Sequence, residues 1–283
     1  MFTLSYTPEI LAPYINWAYF FHAWQFPAKF AAVAGVHGCK ACRSAWAEAF
    51  PEAEKAQARA ALALFEEAEA MLRKLSNEAT EIRARFALLP CRSEGEDLIF
   101  EDAWRLPCLR QQHTNGPCLC LTDFVLPTNH DKGDGINDRV GLFATAAGST
   151  NIDDMFRQTV LDRLAEAAAE RMHEEVRRTY WGYAPDEKLT MEALHTEKFQ
   201  GIRPAVGYPC LPDQRVIFPI ARRLRLEEID ITLTETGAML PHAATCGLLL
   251  AHPAARYFSV GEISDEQRCD YENRIKTALD LSF

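Results

Sequence analysis

Residues 201–209 read Gly-Ile-Arg-Pro-Ala-Val-Gly-Tyr-Pro, and this run restricts the backbone more than any other part of the sequence. Two prolines and two glycines in nine residues exclude a regular helix and a central strand. We therefore expect a shaped, extended loop with exposed backbone groups. Arg203 and Tyr208 lie on this stiff frame, and a guanidinium can bind a carboxylate through two parallel hydrogen bonds. From these residues alone, a buried turn with a structural arginine is favoured over a binding loop.

Hydrophobic periodicity predicts three long helices. Apolar residues follow three- and four-residue steps over 51–76 and 153–180, and a capping pair, Ser264 and Gln267, begins the third helix. Apolar and β-branched runs predict strands at residues 98–100, 119–125, 141–147, 229–234, 246–250 and 257–263. Residues 127–138 are polar and contain glycine, so we expect a loop there.

The order of these elements predicts a mixed α+β fold, with a largely antiparallel twisted sheet flanked by long helices. The sequence has neither a G-x-G-x-x-G run after a strand nor a G-x-x-x-x-G-K-[ST] run, which argues against Rossmann and P-loop folds. We expect one domain over residues 1–283, with a helical N-terminal section at 1–77 and an α+β body at 78–283.

Charge and cysteine content limit the class of protein. The formal net charge is -10, which argues against a nucleic-acid binder and against docking on anionic lipid. The sequence contains no apolar run of about 18 residues, so we expect no membrane span. The N-terminus lacks the features of a signal peptide, and the nine cysteines are an odd number. These features predict a cytoplasmic protein with reduced thiols.

The run His37-Gly38-Cys39-Lys40-Ala41-Cys42 offers three soft ligands for a metal ion. Cys39 and Cys42 are weak candidates, because a zinc site needs a fourth ligand and no second C-x-x-C follows at the usual spacing. A thioredoxin-type redox pair is less favoured, since no βαβ pattern surrounds the run. Cysteines without a metal are the default expectation.

The run 201–209 resembles the R-P-A-P-G-Y-P signature of the activation domain of cobalamin-dependent methionine synthase. Other segments resemble the same family in the family's order, and together they cover nearly the whole chain. They are residues 14–17 and 20–24 (Y-I-N-W and F-F-H-A-W), 109–112, 121–125, 141–148, 162–167, 180–183, 233–235 with 238–239, and 252–253 with 256–260. A chance likeness is a poor explanation for this order.

The resemblance implies a specific function. Members of the family bind S-adenosylmethionine in a shallow groove and present it to the cobalt of cobalamin held by another domain. One electron from a flavodoxin-like donor and one methyl group then return cob(II)alamin to methylcobalamin, and the protein supplies position and electrostatics.

The sequence has no D-x-H-x-x-G cobalamin motif and no room for folate or homocysteine barrels. We therefore expect an activation component of a methyltransferase that cannot make methionine alone. It would act in trans on a cobalamin-binding methionine synthase or a related corrinoid protein.

Family roles transfer to individual residues of the 78–283 body, which is expected to contain the ligand groove. By resemblance, Arg203 binds the methionine carboxylate of the ligand, and Ala205 contacts the ligand through its backbone. Tyr208 faces the corrin, while Tyr257 and Phe258 line the adenosyl end.

The resemblance also assigns acidic residues, and the sequence departs from the family beside them. Glu166 and Glu197 match carboxylates close to the ligand's sulfonium and ammonium. Asn16 replaces the family aspartate that contacts the ammonium, and the lost charge is expected to weaken binding by about 1 kcal/mol or more. Val206 replaces a proline and Gln214 replaces a histidine.

The change at Asn16 leaves an alternative function open. The chain would then be a module that binds S-adenosylmethionine or corrinoid for another corrinoid methyltransferase, without supporting methyl transfer itself.

Overall fold

The computed structural model describes residues 1–113, 115–127, 138–150 and 154–280. Its centre is a six-stranded antiparallel sheet in the order β4-β3-β2-β5-β8, with β1 also paired to β2, and β6 and β7 form a separate pair. The strands are β1 (Phe2–Tyr6), β2 (Ile82–Glu94), β3 (Asp97–Phe100), β4 (Arg105–Pro107), β5 (Asp138–Ala147), β6 (Thr232–Leu233), β7 (Met239–Leu240) and β8 (Ala244–Leu249).

Helices cover both faces of this sheet. They are α1 (Pro8–Leu11), α2 (Trp17–Ala23), α3 (Lys40–Glu48), α4 (Glu52–Asn77), α5 (Met155–Glu175), α6 (Met191–His195), α7 (Ile217–Leu224) and α8 (Asp265–Asp280). A π-helical turn, Val176–Tyr180, continues α5. Within the described residues, no helix has both the length and the apolar character needed to cross a bilayer.

The central strand β2 pairs with three other strands of the sheet. Its first half pairs with β1, its last residues pair with β3, and β5 runs along its other edge from Ile82 to Cys91. Sequence analysis missed both β1 and β2. In β2, apolar and polar residues alternate only over residues 82–86, whereas residues 87–91 are continuously apolar, so the strand as a whole has no sustained two-residue period.

Two hydrophobic cores lie on the two faces of the sheet, and β5 contributes to both. Leu142 and Ala144 point to the core shared with α7 and α8, whereas Phe143 and Ala147 point to the core shared with α2, α4 and α5. This alternation is the two-residue period of a strand. Thr145, on the second face, donates a hydrogen bond of 2.8 Å to a backbone carbonyl of α5, which ties that helix to the sheet.

The predicted α+β class with a largely antiparallel sheet and long flanking helices is confirmed. The three predicted long helices are α4, α5 with its π turn, and α8, in which the Ser264 hydroxyl accepts from the Gln267 N–H as expected. The predicted strands at 98–100, 141–147 and 246–250 correspond to β3, β5 and β8.

Three predicted strands were wrong. Residues 119–125 contain a 3-10 helix, Leu121–Phe124, because the Asp123 carboxylate turns back to accept from the N–H of Cys120. Residues 229–234 keep only the two-residue β6, because Asp230 adopts a left-handed backbone (φ 55°) that interrupts the alternating run.

Residues 257–263 do not form a strand either. Their backbone supports the 201–209 run at single points, such as the Val260 N–H donating to the carbonyl of Pro209 at 2.9 Å. The loop predicted at 127–138 lies almost entirely outside the described residues.

Candidate functional site

Residues 202–206 of the run lie along the outer edge of β8 and extend the central sheet, and the chain then turns so that Tyr208 pairs with Leu211. The N–H and C=O of Ile202 pair with Leu250, and the carbonyl of Pro204 accepts from Leu248, each at 2.9 Å. The Val206 N–H donates to Cys246, also at 2.9 Å. For residues 202–205 the expectation of an extended backbone was right and the expectation of exposed backbone groups was wrong, whereas Val206 and Gly207 lie in a turn. β8 has an unpaired edge that takes up these groups, and no local pattern in the run reveals that edge.

Two glycines allow this close approach. A Cβ on Gly247 would lie 2.2 Å from the carbonyl oxygen of Pro204, and a Cβ on Gly201 would lie 2.4 Å from the carbonyl oxygen of Leu250. Gly201 also has a φ of +86°, which favours glycine. The position of the run therefore depends on the absence of side chains at these two contacts.

Arg203 leaves this frame and reaches α5. Its Nη1 and Nη2 donate to the two carboxylate oxygens of Glu170 at 3.0 and 2.6 Å. Nη1 also lies 3.4 Å from Nδ1 of His173, and the backbone N–H of Arg203 donates to the Tyr257 hydroxyl oxygen at 3.0 Å. Burial acts to lower the pKa of Arg203, but the combined effect of Glu170, Tyr257 and Glu197 outweighs it and the pKa is raised. Arg203 is a fixed cation.

The Arg203 side chain is more exposed than that of its partner Glu170. The side chain of Glu170 is 8% exposed and that of Arg203 is 19% exposed. The pair uses one N–H from each terminal nitrogen, whereas a guanidinium has five N–H groups. The arginine therefore keeps donors for a second carboxylate while Glu170 holds it in place.

Two further carboxylates lie in the electrostatic field of Arg203. Glu166 is one helical turn before Glu170 on α5, and Glu197 follows α6 with a left-handed φ of 56°. Burial raises the pKa of both, and the positive charge of Arg203 opposes this rise. Glu166 also accepts from Arg163 at 2.8 Å. The pKa values of Glu166 and Glu197 are raised because nearby positive charge does not fully offset the effect of burial.

Tyrosines border this charged cluster. Tyr257 is 37% exposed and Tyr208 is 58% exposed. Burial is the main cause of a raised pKa at Tyr257, and Arg203 opposes that rise. Burial also raises the pKa of Tyr208, with a further contribution from Glu166. Both rings are thus close to the predicted ligand-binding charges and remain reachable from solvent.

The other predicted residues have their own local surroundings. Phe258 is half-buried against the core, with its ring 6.5 Å from that of Phe124. Ala205 pairs with Gly247 across the added sheet edge. Asn16 is the N-cap of α2, and its side-chain oxygen accepts from the Ala18 N–H at 3.2 Å.

Sequence analysis missed three residues that hold Arg203 in place: Glu170, His173 and Phe199. Glu170 carries the ion pair, and the guanidinium carbon of Arg203 lies 5.9 Å from the centre of the Phe199 ring. His173 is fully buried, and burial together with nearby arginines keeps its pKa well below its usual value. The four-residue spacing of Glu166, Glu170 and Glu174 could have indicated an acidic row on α5.

A family comparison agrees with this geometry. The model of the vitamin B12-dependent methionine synthase activation domain matches residues 8–276. The chain belongs to this family. The family assignment made from the sequence motifs is thereby confirmed.

A solved structure resembles this activation domain over almost its whole length. It is described as the crystal structure of the MetH reactivation domain bound to AdoHcy. The two chains are 32% identical and superpose with a TM-score of 0.80, over 97% of this chain and 85% of that one. The fold of the activation domain is therefore shared.

The weak metal candidates of this activation domain lie apart from the cluster just described, at the start of α3. Cys39 is the N-cap of that helix, and Cys42 lies in its first turn. A hydrogen bond from Cys42 is the main cause of a pKa of about 7 at Cys39.

Proposed function

We propose that this activation domain binds S-adenosylmethionine beside Arg203 and supports reductive methylation of cobalamin held by a partner. The single observation that carries the proposal is the partly exposed side chain of Arg203, fixed by Glu170 and close to Glu166 and Glu197. The family membership of the chain and the AdoHcy named for the similar structure support the choice of ligand.

The charges of the cluster suit this ligand. Two arginines, Arg163 and Arg203, face three carboxylates, Glu166, Glu170 and Glu197, so the cluster carries one net negative charge when all are ionised. S-adenosylmethionine carries one carboxylate, one ammonium and one sulfonium, and is therefore +1. Opposite charges attract more strongly in a partly desolvated groove than in water.

Each residue has a proposed role in binding. Arg203 donates its remaining N–H groups to the ligand carboxylate, and the backbone of Ala205 contacts the ligand. Glu166 and Glu197 attract the positive groups. Tyr257, whose hydroxyl accepts from the backbone N–H of Arg203, and the neighbouring Phe258 are proposed to line the adenosyl end.

The remaining assignments concern Tyr208, Asn16 and the overall reaction. Tyr208, which is 58% exposed, is proposed to face the corrin. Asn16 is proposed to accept from the ligand ammonium without adding charge, which makes binding weaker than with aspartate. The reaction consumes one electron and one methyl group per cob(II)alamin, and leaves methylcobalamin and S-adenosylhomocysteine.

We further propose that the domain acts in trans, as one unit over residues 1–283. Its partner is a cobalamin-binding methionine synthase or a related corrinoid protein, and a flavodoxin-like protein donates the electron. The proposed compartment is the cytoplasm, where its cysteines, all free in the structure, stay reduced.

Reconstituted reductive methylation tests the proposal. A methionine synthase without its own activation domain is loaded with cob(II)alamin and mixed with this chain, S-adenosylmethionine and a one-electron reductant. We expect methylcobalamin and S-adenosylhomocysteine to form in equal amounts, and only when the chain is present.

Two results would contradict this function. Methylcobalamin formation that is equally fast without the chain would show that the chain does not support reductive methylation. Binding of S-adenosylmethionine without any methylcobalamin would favour the alternative, a binding module for another corrinoid methyltransferase.

A further inference from the structure

Three soft donor side chains converge on the protein surface just before and within the first turn of α3. A ring nitrogen of His37 and the sulfur atoms of Cys39 and Cys42 all lie within 4.8 Å of one another. His37 and Cys42 are exposed and Cys39 is half-buried, so all three are accessible from solvent. None of them belongs to the cluster around Arg203.

The local backbone brings these side chains together. The Cys39 N–H donates to Nδ1 of His37, and the Cys42 N–H donates to Sγ of Cys39, both at 3.3 Å. Residues three apart share one face of a helix, which places the two sulfur atoms side by side. The imidazole is turned back toward them by its own hydrogen bond.

The turn is anchored to a long helix. Arg43, which follows Cys42, donates to both carboxylate oxygens of Glu69 on α4 at 2.6 and 2.7 Å. The side chain of Arg43 is 11% exposed. The first turn of α3 is therefore fixed, and the donor atoms are supported by a packed pair of helices.

We propose that His37, Cys39 and Cys42 form a zinc-class metal site with two thiolates and one imidazole. Zn²⁺ binds sulfur at about 2.3 Å and imidazole nitrogen at about 2.0 Å, so the three donors must be roughly 3.5–3.8 Å apart. Side-chain rotation brings them to this spacing from the observed 4.8 Å limit. Within the described residues, no fourth side chain joins the group. The fourth position is therefore left to water or to a group from a partner.

The third donor favours a metal over a simple redox pair. A disulfide between Cys39 and Cys42 would use two of the three groups and leave the imidazole without a role. Two thiolates and an imidazole form a borderline-soft donor set of the kind that selects zinc over magnesium or calcium. Binding releases the protons that the thiols still hold, so the site gains affinity as pH rises.

Cobalt substitution tests the site directly. The full chain, without any polyhistidine tag, is reduced, stripped of metal with a chelator and titrated with Co²⁺ in the absence of oxygen. We expect one equivalent to bind with a sulfur-to-cobalt charge-transfer band, and Zn²⁺ to displace it. The matched control is Cys269→Ser, which removes another exposed thiol, on α8.

The variants separate the donors. Cys39→Ser and Cys42→Ser should each weaken the charge-transfer band and lower Zn²⁺ affinity by more than about tenfold, because each removes one ligand of three. His37→Ala should keep the band and lower the affinity by about tenfold or more. Cys269→Ser should match the wild type.

Three results would overturn the proposal. They are no stoichiometric binding by the reduced wild type, binding that survives the double variant Cys39→Ser/Cys42→Ser, and a charge-transfer band lost in Cys269→Ser. A Cys39–Cys42 disulfide that forms readily while the reduced chain binds no metal would instead identify a redox pair.

Discussion

Two arginines lie near the ring of Phe199, and their surroundings differ in one respect. The guanidinium carbon of Arg177 is 4.2 Å from the ring centre, and that of Arg203 is 5.9 Å away. Each arginine is paired to a glutamate, Arg177 to Glu187 and Arg203 to Glu170. The side chain of Arg177 is 0% exposed, whereas that of Arg203 is 19% exposed. The Arg177–Glu187 pair is thus fully buried (the sealed pair), whereas the Arg203–Glu170 pair is partly exposed (the open pair).

The candidate site is therefore distinguished by the exposure of the arginine side chain, and not by the presence of an arginine–glutamate pair. Nε and Nη2 of Arg177 both bind Glu187, so the edge that could hold another carboxylate is already used. Glu170 engages only the terminal nitrogens of Arg203. Carboxylates with raised pKa values also lie near Arg203. We therefore propose that the Arg177–Glu187 pair contributes to stability and that the Arg203–Glu170 pair contributes to ligand binding.

The largest expected effect is on the sealed pair. Arg177→Met leaves the carboxylate of Glu187, 9% exposed, without its partner. Breaking a buried pair in this way should lower the free energy of unfolding by about 3–5 kcal/mol, measured by chemical denaturation. The double variant Arg177→Met/Glu187→Gln should recover part of the loss. A loss below about 1 kcal/mol would show that the two pairs do not differ as claimed.

A smaller effect is expected where the frame of Arg203 meets β8. Gly247→Ala places a Cβ 2.2 Å from the carbonyl oxygen of Pro204, so the run must move away. We expect the free energy of unfolding to fall by about 1–3 kcal/mol and S-adenosylmethionine binding to fall with it. Gly35→Ala is the control, because nothing lies within 4 Å of its Cβ. Equal affinity in both variants would mean that binding does not need the run on β8.

The acidic side of the site should respond to pH. Glu166 and Glu197 attract the cationic ligand only when ionised, and their raised pKa values mean that this charge is lost at a higher pH than for an ordinary glutamate. Affinity should therefore fall as pH decreases toward the acidic range, in calorimetric titrations at several pH values. Glu166→Gln and Glu197→Gln should each bind S-adenosylmethionine several-fold more weakly at pH 7, by about 1 kcal/mol. Each should also reduce the dependence of the affinity on pH. An exposed control, Glu235→Gln, should leave it unchanged.

The ionised carboxylates of Glu166 and Glu197 are expected to favour ligand binding at neutral pH, but their raised pKa values are expected to lower the stability of the fold. A carboxyl whose pKa is higher in the folded than in the unfolded chain destabilises the fold once pH exceeds the unfolded value. Glu166→Gln and Glu197→Gln should therefore melt at the same or a higher temperature than the wild type at pH 7. A lower melting temperature with unchanged affinity would assign these residues to stability, like Arg177.

The smallest effect is expected at Asn16. Asparagine and aspartate are both good N-caps, so Asn16→Asp should leave α2 and the melting temperature almost unchanged. The added charge should tighten S-adenosylmethionine binding by about 1 kcal/mol, which is roughly fivefold. An affinity equal to that of the wild type would mean that position 16 does not touch the ligand.

The sequence predicted the fold class and the long helices because these depend on local signals. Ala-rich three- and four-residue spacing identified α4, and a capping pair identified the start of α8. The strand predictions were wrong or incomplete where tertiary contacts decide whether a segment forms a strand. The sequence of β2 alternates only over residues 82–86 and is continuously apolar over 87–91. The alternating pattern at 229–234 is interrupted in the structure by the left-handed backbone of Asp230.

The candidate site was partly predictable for the same reason. The 201–209 motif drew attention to Arg203, but not to the carboxylate that pairs with it. Glu166 and Glu170 lie one turn apart on α5, and only the packing of the run against β8 decides which of them meets the guanidinium. The contrast between Arg177 and Arg203 also depends on burial, which no spacing in the sequence encodes.

Calorimetric titration with S-adenosylmethionine tests the central claim most directly. The wild type is compared with Arg203→Met/Glu170→Gln, which removes the open pair without leaving a lone buried charge, and with the sealed-pair variant Arg177→Met/Glu187→Gln. Our account predicts one ligand bound by the wild type and by any folded sealed-pair variant. It predicts at least about a tenfold loss of affinity, or 1.4 kcal/mol, when the open pair is removed. Equal affinity in the wild type and the folded open-pair variant would contradict it.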